Sequence, residues 1–487
     1  MNKLIKNTSV IKVHPKDLPY VEKIFNCGQD HIFRWWCELS DIQRKKLLRQ
    51  ISSIDFSLLQ ELITNHIKVG ASASGGHVPL HGKIEPPDII PIPGNDAQLA
   101  AANEAKTIGE NALCKGKVAI LTVAGGLGTR LGFDVPKGCI PIGPITGKSL
   151  FQLHAEKILA IIKRYRTELP WYIMTSEANH TQTKKFFQDN HFFNLKPSDV
   201  IFFTQGMLPV ADLNGRLIMD AKCHIAMSPN GHGGVILALK KEKVLANMKK
   251  RGIEYIFYFQ VDNALIKIAD PTFIGYHILD HAEMSSKVTT KRSPEEKVGI
   301  LGYVDGKLGV IEYSELNEED LQERNKDGSL RYNTGNIAIH ILNVEFVEKL
   351  NNGGFKLPYH KALKCIPFLN NSGELVTPEE NSGVKFETFI FDAMKYSERS
   401  VVMEVVRKDE FAPIKNMEGD DSPDIARQAM INMFGRWLSE AGVNVPFDAQ
   451  HNVKGVIEIS PLYALDSEEL KRKIKKSIVF NGRLELG

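Results

Sequence analysis

The sequence predicts an α/β protein whose centre is a largely parallel β-sheet covered by helices. Residues 118–123 form a continuous apolar run, which is typical of a strand buried on both faces. Residues 171–175, 200–204 and 255–261 repeat this strand pattern, and residues 149–165 carry a helical apolar stripe between two of the runs. Strands that alternate with helices in this way predict a parallel sheet.

The first part of the chain, residues 1–105, is predicted to be mainly helical. Ser40 is placed to cap a helix over residues 44–51, and residues 55–63 form a second helical segment. The stretch 70–94 is rich in Gly, Ser and Pro, so we interpret it as a connection between domains.

The length of 487 residues suggests about three domain-sized units. We place a central catalytic domain at residues 106–395 and a smaller α+β domain at residues 396–487. In the latter, residues 453–460 have a strand pattern and residues 467–476 have a helical one.

The composition argues against a nucleic-acid or membrane partner. Hydrophobic residues make up 43% and charged residues 24% of the chain, and the formal net charge is only +3. The N-terminus has no signal-peptide pattern and the apolar runs are too short to span a bilayer. The six cysteines are scattered without a metal-binding spacing, so we expect reduced thiols and a cytoplasmic protein.

A glycine-rich loop follows the first predicted strand and has the chemistry of an anion site. Gly125, Gly126 and Gly128 permit tight bends and bring bare N–H groups toward an anion. Arg130 adds a planar cation suited to phosphate oxygens, and Lys137 adds a second cation at short range. Open α/β sheets place their ligands at such a loop.

Three phosphate-binding motifs compete for this region. The dinucleotide fingerprint needs a third glycine where Leu131 stands. Residues 143–149 approach a P-loop but have three intervening residues instead of four, so a turn and helix cap is the better interpretation. Nucleotidyl transfer fits best, because that reaction needs a glycine loop, an arginine and a lysine around a triphosphate.

The motif at residues 124–132, followed by Pro136-Lys137-Gly138, resembles the signature of the UDP-sugar pyrophosphorylases. The likeness is greatest to the UDP-N-acetylhexosamine branch. It continues in the same order along nearly the whole chain, from residues 28–31 to residues 411–416. The resemblance implies a Rossmann-like fold of the GT-A nucleotidyltransferase type, with a mixed, mostly parallel sheet flanked by helices.

The implied reaction joins UTP and a sugar 1-phosphate to give a UDP-sugar and pyrophosphate. The sugar phosphate attacks the α-phosphorus directly, so the protein needs no nucleophile of its own and acts by positioning and charge stabilisation. The resemblance also implies Mg²⁺ or Mn²⁺ as cofactor. We expect a monomer or a weak homo-oligomer.

The expected roles divide into four groups. For catalysis we assign Arg130, Lys137 and Lys415. The nucleotide-binding group is Val123, Ala124, Gly125, Gly126, Lys137, Gln205, Gly231, Asp262 and Lys385. The sugar-binding group is His232, Gly299, Glu312, Asn336 and Lys415. Asp262, at the end of an apolar strand, is the expected metal ligand, although such a carboxylate can also cap the following turn.

The match departs from the family pattern at Gly231-His232-Gly233-Gly234. The N-acetylhexosamine branch has asparagine in place of this histidine, whereas the UDP-glucose and broader UDP-sugar branches have histidine but end in aspartate. N-acetylglucosamine 1-phosphate is therefore the first expected substrate, and glucose or galactose 1-phosphate is the alternative. A catalytically silent UDP-sugar-binding regulator would lack Arg130, Lys137 or Asp262, and all three are present.

Overall fold

A mixed β-sheet forms the centre of the larger of two units in the chain. The computed structural model describes residues 11, 13–68, 82–313, 315–353 and 356–487. Unit 1 consists of Met1–Val78, Gly206–Gly234 and Leu357–Ile390, and unit 2 consists of Pro79–Gln205, Val235–Lys356 and Phe391–Gly487. The division into residues 1–105, 106–395 and 396–487 stays a prediction.

The strands of the described chain are numbered in chain order. They are β1 (Ile84–Glu85), β2 (Val118–Val123), β3 (Trp171–Thr175), β4 (Val200–Thr204), β5 (Met207–Pro209), β6 (Ala211–Asp212), β7 (Met219–Ala221), β8 (His224–Ile225), β9 (Met227–Pro229), β10 (Tyr255–Gln260), β11 (Met284–Thr290), β12 (Ile300–Val304), β13 (Lys307–Ile311), β14 (Thr334–Asn343), β15 (His360–Lys364), β16 (Phe368–Leu369), β17 (Leu375–Val376), β18 (Gly383–Glu387), β19 (Val402–Glu404), β20 (Val456–Ile459) and β21 (Arg483–Leu486).

The α-helices follow the same convention. They are α1 (Leu18–Asn26), α2 (Asp41–Ser53), α3 (Phe56–Ile63), α4 (Asp96–Cys114), α5 (Leu150–Tyr165), α6 (His180–Asp189), α7 (Val235–Lys241), α8 (Val244–Lys250), α9 (Pro271–Leu279), α10 (Glu318–Gln322), α11 (Val344–Asn352), α12 (Arg407–Glu410), α13 (Pro423–Glu440) and α14 (Ser467–Lys473).

The main sheet of unit 2 combines a parallel core with an antiparallel extension. Its order is β1-β12-β14-β10-β2-β3-β4, where β11 also pairs with β14 and β19, and β13 pairs with β12. The pairs from β10 through β2 and β3 to β4 are parallel, whereas β14 runs antiparallel to its neighbours β10, β11 and β12. The predicted α/β class with a mixed sheet flanked by helices is confirmed, although antiparallel pairs slightly outnumber parallel ones among the described strands of this sheet.

Unit 1 contains small antiparallel sheets and the N-terminal helices. The order β15-β18-β6 forms one sheet, and β5-β9, β7-β8 and β16-β17 form two-stranded ribbons. An apolar cluster joins α1, α2 and α3 to these strands through residues such as Leu47, Phe56 and Phe386. The helical character predicted for the N-terminal region is therefore present in α1–α3.

The predicted elements around the parallel core agree closely with the structure. The strands β2, β3 and β4 have the predicted bounds, and β10 ends one residue before the predicted end. Helix α5 begins at Leu150 because the Ser149 hydroxyl accepts a hydrogen bond from the Gln152 N–H and so caps the helix. At α2, Ser40 and Gln43 form the reciprocal capping box that the sequence indicates.

The predicted connection at residues 70–94 is partly a strand. Residues 70–81 lie outside the described residues, but β1 pairs with β12 at the edge of the main sheet. Ile90 forms a further bridge to Met403. In the C-terminal region, β20 is shorter than predicted at its start because Val453 pairs with Phe447 instead, and α14 ends at Lys473.

Two of the apolar clusters in unit 2 pack on the main sheet and around α13. The first covers one face of β2, β3 and β10 and includes Phe151, Trp171 and Phe257, all fully buried. The second packs α13 against α5, β20 and β21 and includes Leu153, Phe434 and Ile457. No helix of the described chain is both long enough and apolar enough to cross a bilayer.

A buried charge cluster links strand β11 to the region around α9 in unit 2. The Lys287 ammonium is fully buried and contacts Asp270 at 2.7 Å and Glu410 at 2.5 Å. Asp270 also caps α9 by accepting a hydrogen bond from the Thr272 N–H. The neighbouring cations Lys267 and Lys287 hold the pKa of the Asp270 carboxyl well below its usual range, although burial opposes them.

Replacing Lys287 with Met should lower the free energy of unfolding by about 3–5 kcal/mol, because two buried carboxylates lose their shared cation. Lys267→Met is the matched control. Lys267 also pairs with Asp270, at 3.2 Å, but its side chain is 51% exposed, so a loss below about 1 kcal/mol is expected. Urea unfolding measures both values, and equal losses would contradict the argument.

Candidate nucleotide site

The carboxyl ends of parallel strands bring the predicted phosphate-binding residues to one edge of the main sheet. Val123, at the end of β2, lies opposite Gln260, at the end of β10. The glycine-rich loop after β2 and Asp262 after β10 therefore leave the sheet side by side. This is the edge at which open α/β sheets bind ligands.

The loop after β2 folds back on itself through backbone hydrogen bonds. The Gly128 N–H donates to the Val135 carbonyl and the Lys137 N–H donates to the Gly126 carbonyl. Gly132 turns the chain with a φ of 74°, a conformation that favours glycine. The fold-back returns Lys137 to the start of the loop, as the sequence suggested.

Two side chains that follow β3 hold the loop by hydrogen bonds to its backbone carbonyls. The Asn179 amide donates to the carbonyls of Ala124 at 2.8 Å and Gly126 at 3.2 Å. The Ser176 hydroxyl donates to the carbonyl of Gly125 at 2.8 Å. Because three successive carbonyls are held on this side, the loop backbone is fixed before any ligand arrives.

Lys137 and Asp262 form an ion pair across this edge. The Lys137 Nζ lies 3.1 Å from the Asp262 Oδ2, and the two side chains are only 20% and 10% exposed. Burial raises the pKa of the neighbouring Tyr258, and the Asp262 carboxylate raises it further. The pair supplies a cation and a carboxylate within reach of the same ligand.

The segment that carries Asp262 is held from several sides. The His154 Nε2 donates to the Val261 carbonyl at 2.9 Å, and burial lowers the pKa of His154 to about 3, so the ring stays neutral. The Ile414 N–H donates to the Asp262 carbonyl, which brings the backbone of Lys415 close to this segment. Unit 2 therefore gathers Lys137, Asp262 and the Lys415 backbone.

Arg130 lies exposed in the short helical turn of the loop. Among the described residues, its guanidinium has no hydrogen-bond or ion-pair partner. Lys415 is exposed as well. Both cations are thus available to an anion without first breaking a contact within the described chain.

Gln205 follows β4 and lies close to the loop. Its side chain is buried, and a Cβ added at Gly125 would lie 2.7 Å from the Gln205 Nε2. Glycine at position 125 therefore leaves room for this amide. Within the described part of the chain, the Gln205 carboxamide has no hydrogen-bond partner, so its donor and acceptor can both serve a ligand.

Three predicted sugar-binding residues meet at the antiparallel part of the sheet. The Asn336 N–H donates to the Gly299 carbonyl, and a Cβ at Gly299 would lie 3.4 Å from the Glu312 Oε1. A bulge in β14 follows, where Ala338 has a φ of 55° and donates its N–H to the Asn336 Oδ1. The structure thus brings these three residues together.

The other predicted residues, Gly231, His232 and Lys385, belong to unit 1. Gly231 has a φ of 84°, and any Cβ there would collide with the Thr388 backbone. The Ile390 N–H donates to the His232 Nδ1 at 3.2 Å, so the neutral ring carries its proton on Nε2. His232 also stacks on Phe389. Lys385 is half-buried on β18.

The P-loop alternative fails because its loop is already filled. The Glu458 carboxylate accepts hydrogen bonds from the N–H groups of Ile145 at 2.6 Å and Thr146 at 2.8 Å. Lys148 is paired with Glu156 at 2.9 Å. A protein carboxylate thus occupies the position that a phosphate would need, and the predicted turn and helix cap is confirmed.

The donor set around Asp262 suits a divalent cation that brings its own ligands. Among the described residues there is no cluster of three or more His, Cys, Asp or Glu able to hold a metal. Mg²⁺ commonly uses one or two carboxylates together with water and substrate phosphates. Asp262, whose Oδ1 has no partner in the described chain, fits that mode of binding.

Several residues of this region escaped the sequence interpretation. Asn179, Ser176 and His154 act on backbone carbonyls far away in sequence, so no local pattern marks them. In unit 1, the buried Oδ1 of Asn230 has no hydrogen-bond partner in the described chain. Burial of a lone polar atom is a tertiary property.

The chain is similar to known proteins over most of its length. The family described as UTP–glucose-1-phosphate uridylyltransferase matches residues 82–475. The chain is 36% identical to the human UDP-N-acetylhexosamine pyrophosphorylase-like protein 1, over 92% of this chain and 93% of that protein. It is 36% identical to UDP-N-acetylglucosamine pyrophosphorylase of Saccharomyces cerevisiae, over 86% and 90%. The Trypanosoma brucei UDP-N-acetylglucosamine pyrophosphorylase structure has a TM-score of 0.80 at 28% identity, over 98% and 99%.

Replacing Asn179 with Ala should weaken UTP binding about tenfold, because two loop carbonyls lose a buried donor worth about 1–3 kcal/mol. Isothermal titration calorimetry measures the change. Asn190→Ala, just beyond the other end of α6, is the control and should bind UTP like the wild type. If both variants bind UTP equally well, the brace has no role in the site.

Proposed function

The chain belongs to the UTP–glucose-1-phosphate uridylyltransferase family, and from this premise we propose that it makes UDP-N-acetylglucosamine. The substrates are UTP and N-acetylglucosamine 1-phosphate, and the second product is pyrophosphate. The observation that carries the proposal is the Lys137–Asp262 pair beside a braced glycine loop. That arrangement offers N–H donors, a cation and a carboxylate to one triphosphate.

The proposed step is a single in-line displacement. An oxygen of the sugar phosphate forms a bond to the α-phosphorus of UTP, and the bond from that phosphorus to the bridging oxygen of pyrophosphate breaks. The protein supplies no covalent intermediate. Its contribution is to hold the two anions in line and to stabilise the charge that develops on the phosphoryl oxygens.

Lys137 is the residue proposed to act closest to the reacting phosphorus. It is held beside the loop by its own backbone bond to Gly126 and by Asp262, so it needs little reorganisation when UTP binds. Arg130, exposed on the same loop, is proposed to bind the outer phosphates. Lys415, next to the segment of Asp262, is proposed to meet the sugar phosphate.

A divalent cation, Mg²⁺ or Mn²⁺, is proposed to be held by Asp262 and the substrate phosphates. It would supply charge neutralisation on the triphosphate. The pair with Lys137 orients the Asp262 carboxylate at this edge of the sheet. Lys385 is proposed as a further phosphate ligand on the basis of the family resemblance alone.

Base selection is proposed to depend on Gln205. A buried carboxamide with unused donor and acceptor atoms matches the edge of uracil, which also presents both. Gly125 supports this role because it leaves space for the amide. Gly231 is proposed to let the backbone approach the base closely. Val123 and Ala124 contribute backbone groups of the same loop.

The sugar assignment is supported by the relatives of similar length that are named for N-acetylglucosamine or N-acetylhexosamine. Gly299, Glu312 and Asn336 lie together in unit 2 and offer the polar groups that hydroxyl and acetamido substituents need. The cytoplasmic location and the monomeric or weakly oligomeric state remain part of the proposal.

Glucose or galactose 1-phosphate is the second candidate substrate, and His232 is the observation that favours it. The UDP-glucose branch that the sequence resembles has histidine at this position, and the Ile390 N–H donates to the Nδ1 of His232 at 3.2 Å. The residue therefore offers a direct test of the sugar.

A panel of sugar 1-phosphates tested with UTP, read by pyrophosphate release, checks the assignment. We expect kcat/KM at least about tenfold higher for N-acetylglucosamine 1-phosphate than for glucose 1-phosphate, because buried polar groups left unpaired by the wrong sugar are costly. His232→Asn should leave that ratio nearly unchanged. Preferred turnover of glucose 1-phosphate, or a large shift in the variant, would support the second candidate instead.

Lys137→Met should lower kcat/KM about 100- to 1,000-fold with UTP, because a preorganised cation at the transition state is lost. Lys148→Met is the matched control, since Lys148 pairs with Glu156 and belongs to the filled loop. Its kcat/KM should stay close to the wild-type value. If Lys148→Met abolished turnover and Lys137→Met did not, the P-loop alternative would return.

A further inference from the structure

Unit 2 contains a large cavity that the proposed reaction does not use. Its volume is about 580 Å³, and its walls come from α5, the segment 264–270, β19 and α13. Neither the loop residues 124–137 nor Asp262 line it. The volume lies within the range of about 300–1,000 Å³ that is common for small-molecule sites.

The wall of this cavity is largely apolar. Ile161 of α5, Ile266 and Ile268 after β10, and Met433 and Phe434 of α13 all line it. Each belongs to the buried hydrophobic residues of unit 2. An occupant therefore needs an apolar body to match these side chains.

Lys157 of α5 is one of the polar residues that line this cavity. Its Nζ donates to the carbonyls of Ala264 and Ile266, both at 2.9 Å. An ammonium has three protons, so one N–H remains, and no acceptor for it occurs among the described residues. Burial lowers the pKa of Lys157 to about 7, and the Glu410 carboxylate acts in the opposite direction.

Three of the other cations of the lining have carboxylate partners. Arg164 pairs with Asp466 at 2.7 Å, and Lys267 pairs with Asp270 at 3.2 Å. Arg436 pairs with Asp409. Lys408 is exposed to solvent. Of the described cations that line the cavity, Lys157 is thus the half-buried one without a carboxylate partner.

We infer that this cavity binds a small amphipathic carboxylate. Its apolar body packs against the Ile, Met and Phe side chains of the wall, and its carboxylate accepts the remaining Lys157 N–H. A phosphate group is less suitable, because acidic side chains outnumber basic ones in the lining and a second negative charge would be repelled.

Occupancy of the cavity would act on the segment that carries Asp262. Lys157 holds the carbonyls of Ala264 and Ile266, and His154 on the same helix holds Val261. A carboxylate bound to the third N–H of Lys157 would shift the ammonium and so alter its bonds to the Ala264 and Ile266 carbonyls. This effect on catalysis rests on the proposed function, whereas binding in the cavity does not.

Calorimetric titration of the full-length protein with decanoate, in the absence of UTP and sugar phosphate, tests the binding. We expect one saturable site and at least tenfold weaker binding of decan-1-ol, which has the apolar chain without the charge. Lys157→Met should abolish the preference for decanoate. Lys163→Met, an exposed lysine on the same helix, should retain it.

A second variant keeps the test decisive if Lys157→Met unfolds, since its two carbonyl partners would lose a donor. Ala102→Trp places an indole at a half-buried position of the lining and should block decanoate while pyrophosphate release stays intact. Lys137→Met should bind decanoate normally, which separates the cavity from the nucleotide site. Non-saturable binding, equal affinity for decan-1-ol, or wild-type affinity in both cavity variants would overturn the inference.

Discussion

The parallel register between β2 and β10 is the constraint on which the candidate site depends. It places Val123 beside Gln260, so the glycine loop and Asp262 emerge at the same edge and Lys137 can reach the carboxylate. A shift of one residue would turn alternate side chains to the opposite face of the sheet. The side chains of β2 and β10 are buried on both faces of the sheet and oppose any such shift, because their apolar contacts would be lost together.

Rigidity around this edge comes from contacts between side chains and backbone carbonyls. Asn179 and Ser176 fix the loop after β2, whereas His154 and Lys157 fix the segment after β10. Such preorganisation suits a reaction in which the protein positions two anions and forms no covalent bond to them. Helix α5 also connects the Asp262 segment to the cavity, because Lys157 donates to the Ile266 carbonyl and lines the cavity as well.

Local sequence patterns predicted much of the fold. The strands β2, β3 and β4 were predicted with correct bounds because fully buried parallel strands have continuous apolar runs. The capping residues Ser40 and Ser149 identified two helix starts, because each cap bonds to a backbone N–H only three residues further along the chain. Short or edge elements were less predictable. β1 lies in a stretch rich in Gly and Pro and exists because β12 offers a partner far away in sequence.

The sequence by itself determined the residue types of the phosphate-binding loop, the order of its motifs and therefore the family. Only the tertiary structure decided that Lys137 pairs with Asp262, that Asn179 braces the loop and that Glu458 fills the false P-loop. It also decided that Lys157 lines a cavity with an unused proton. These contacts join residues far apart in the chain, so they depend on how helices and strands pack and leave no periodic or local signal in the sequence.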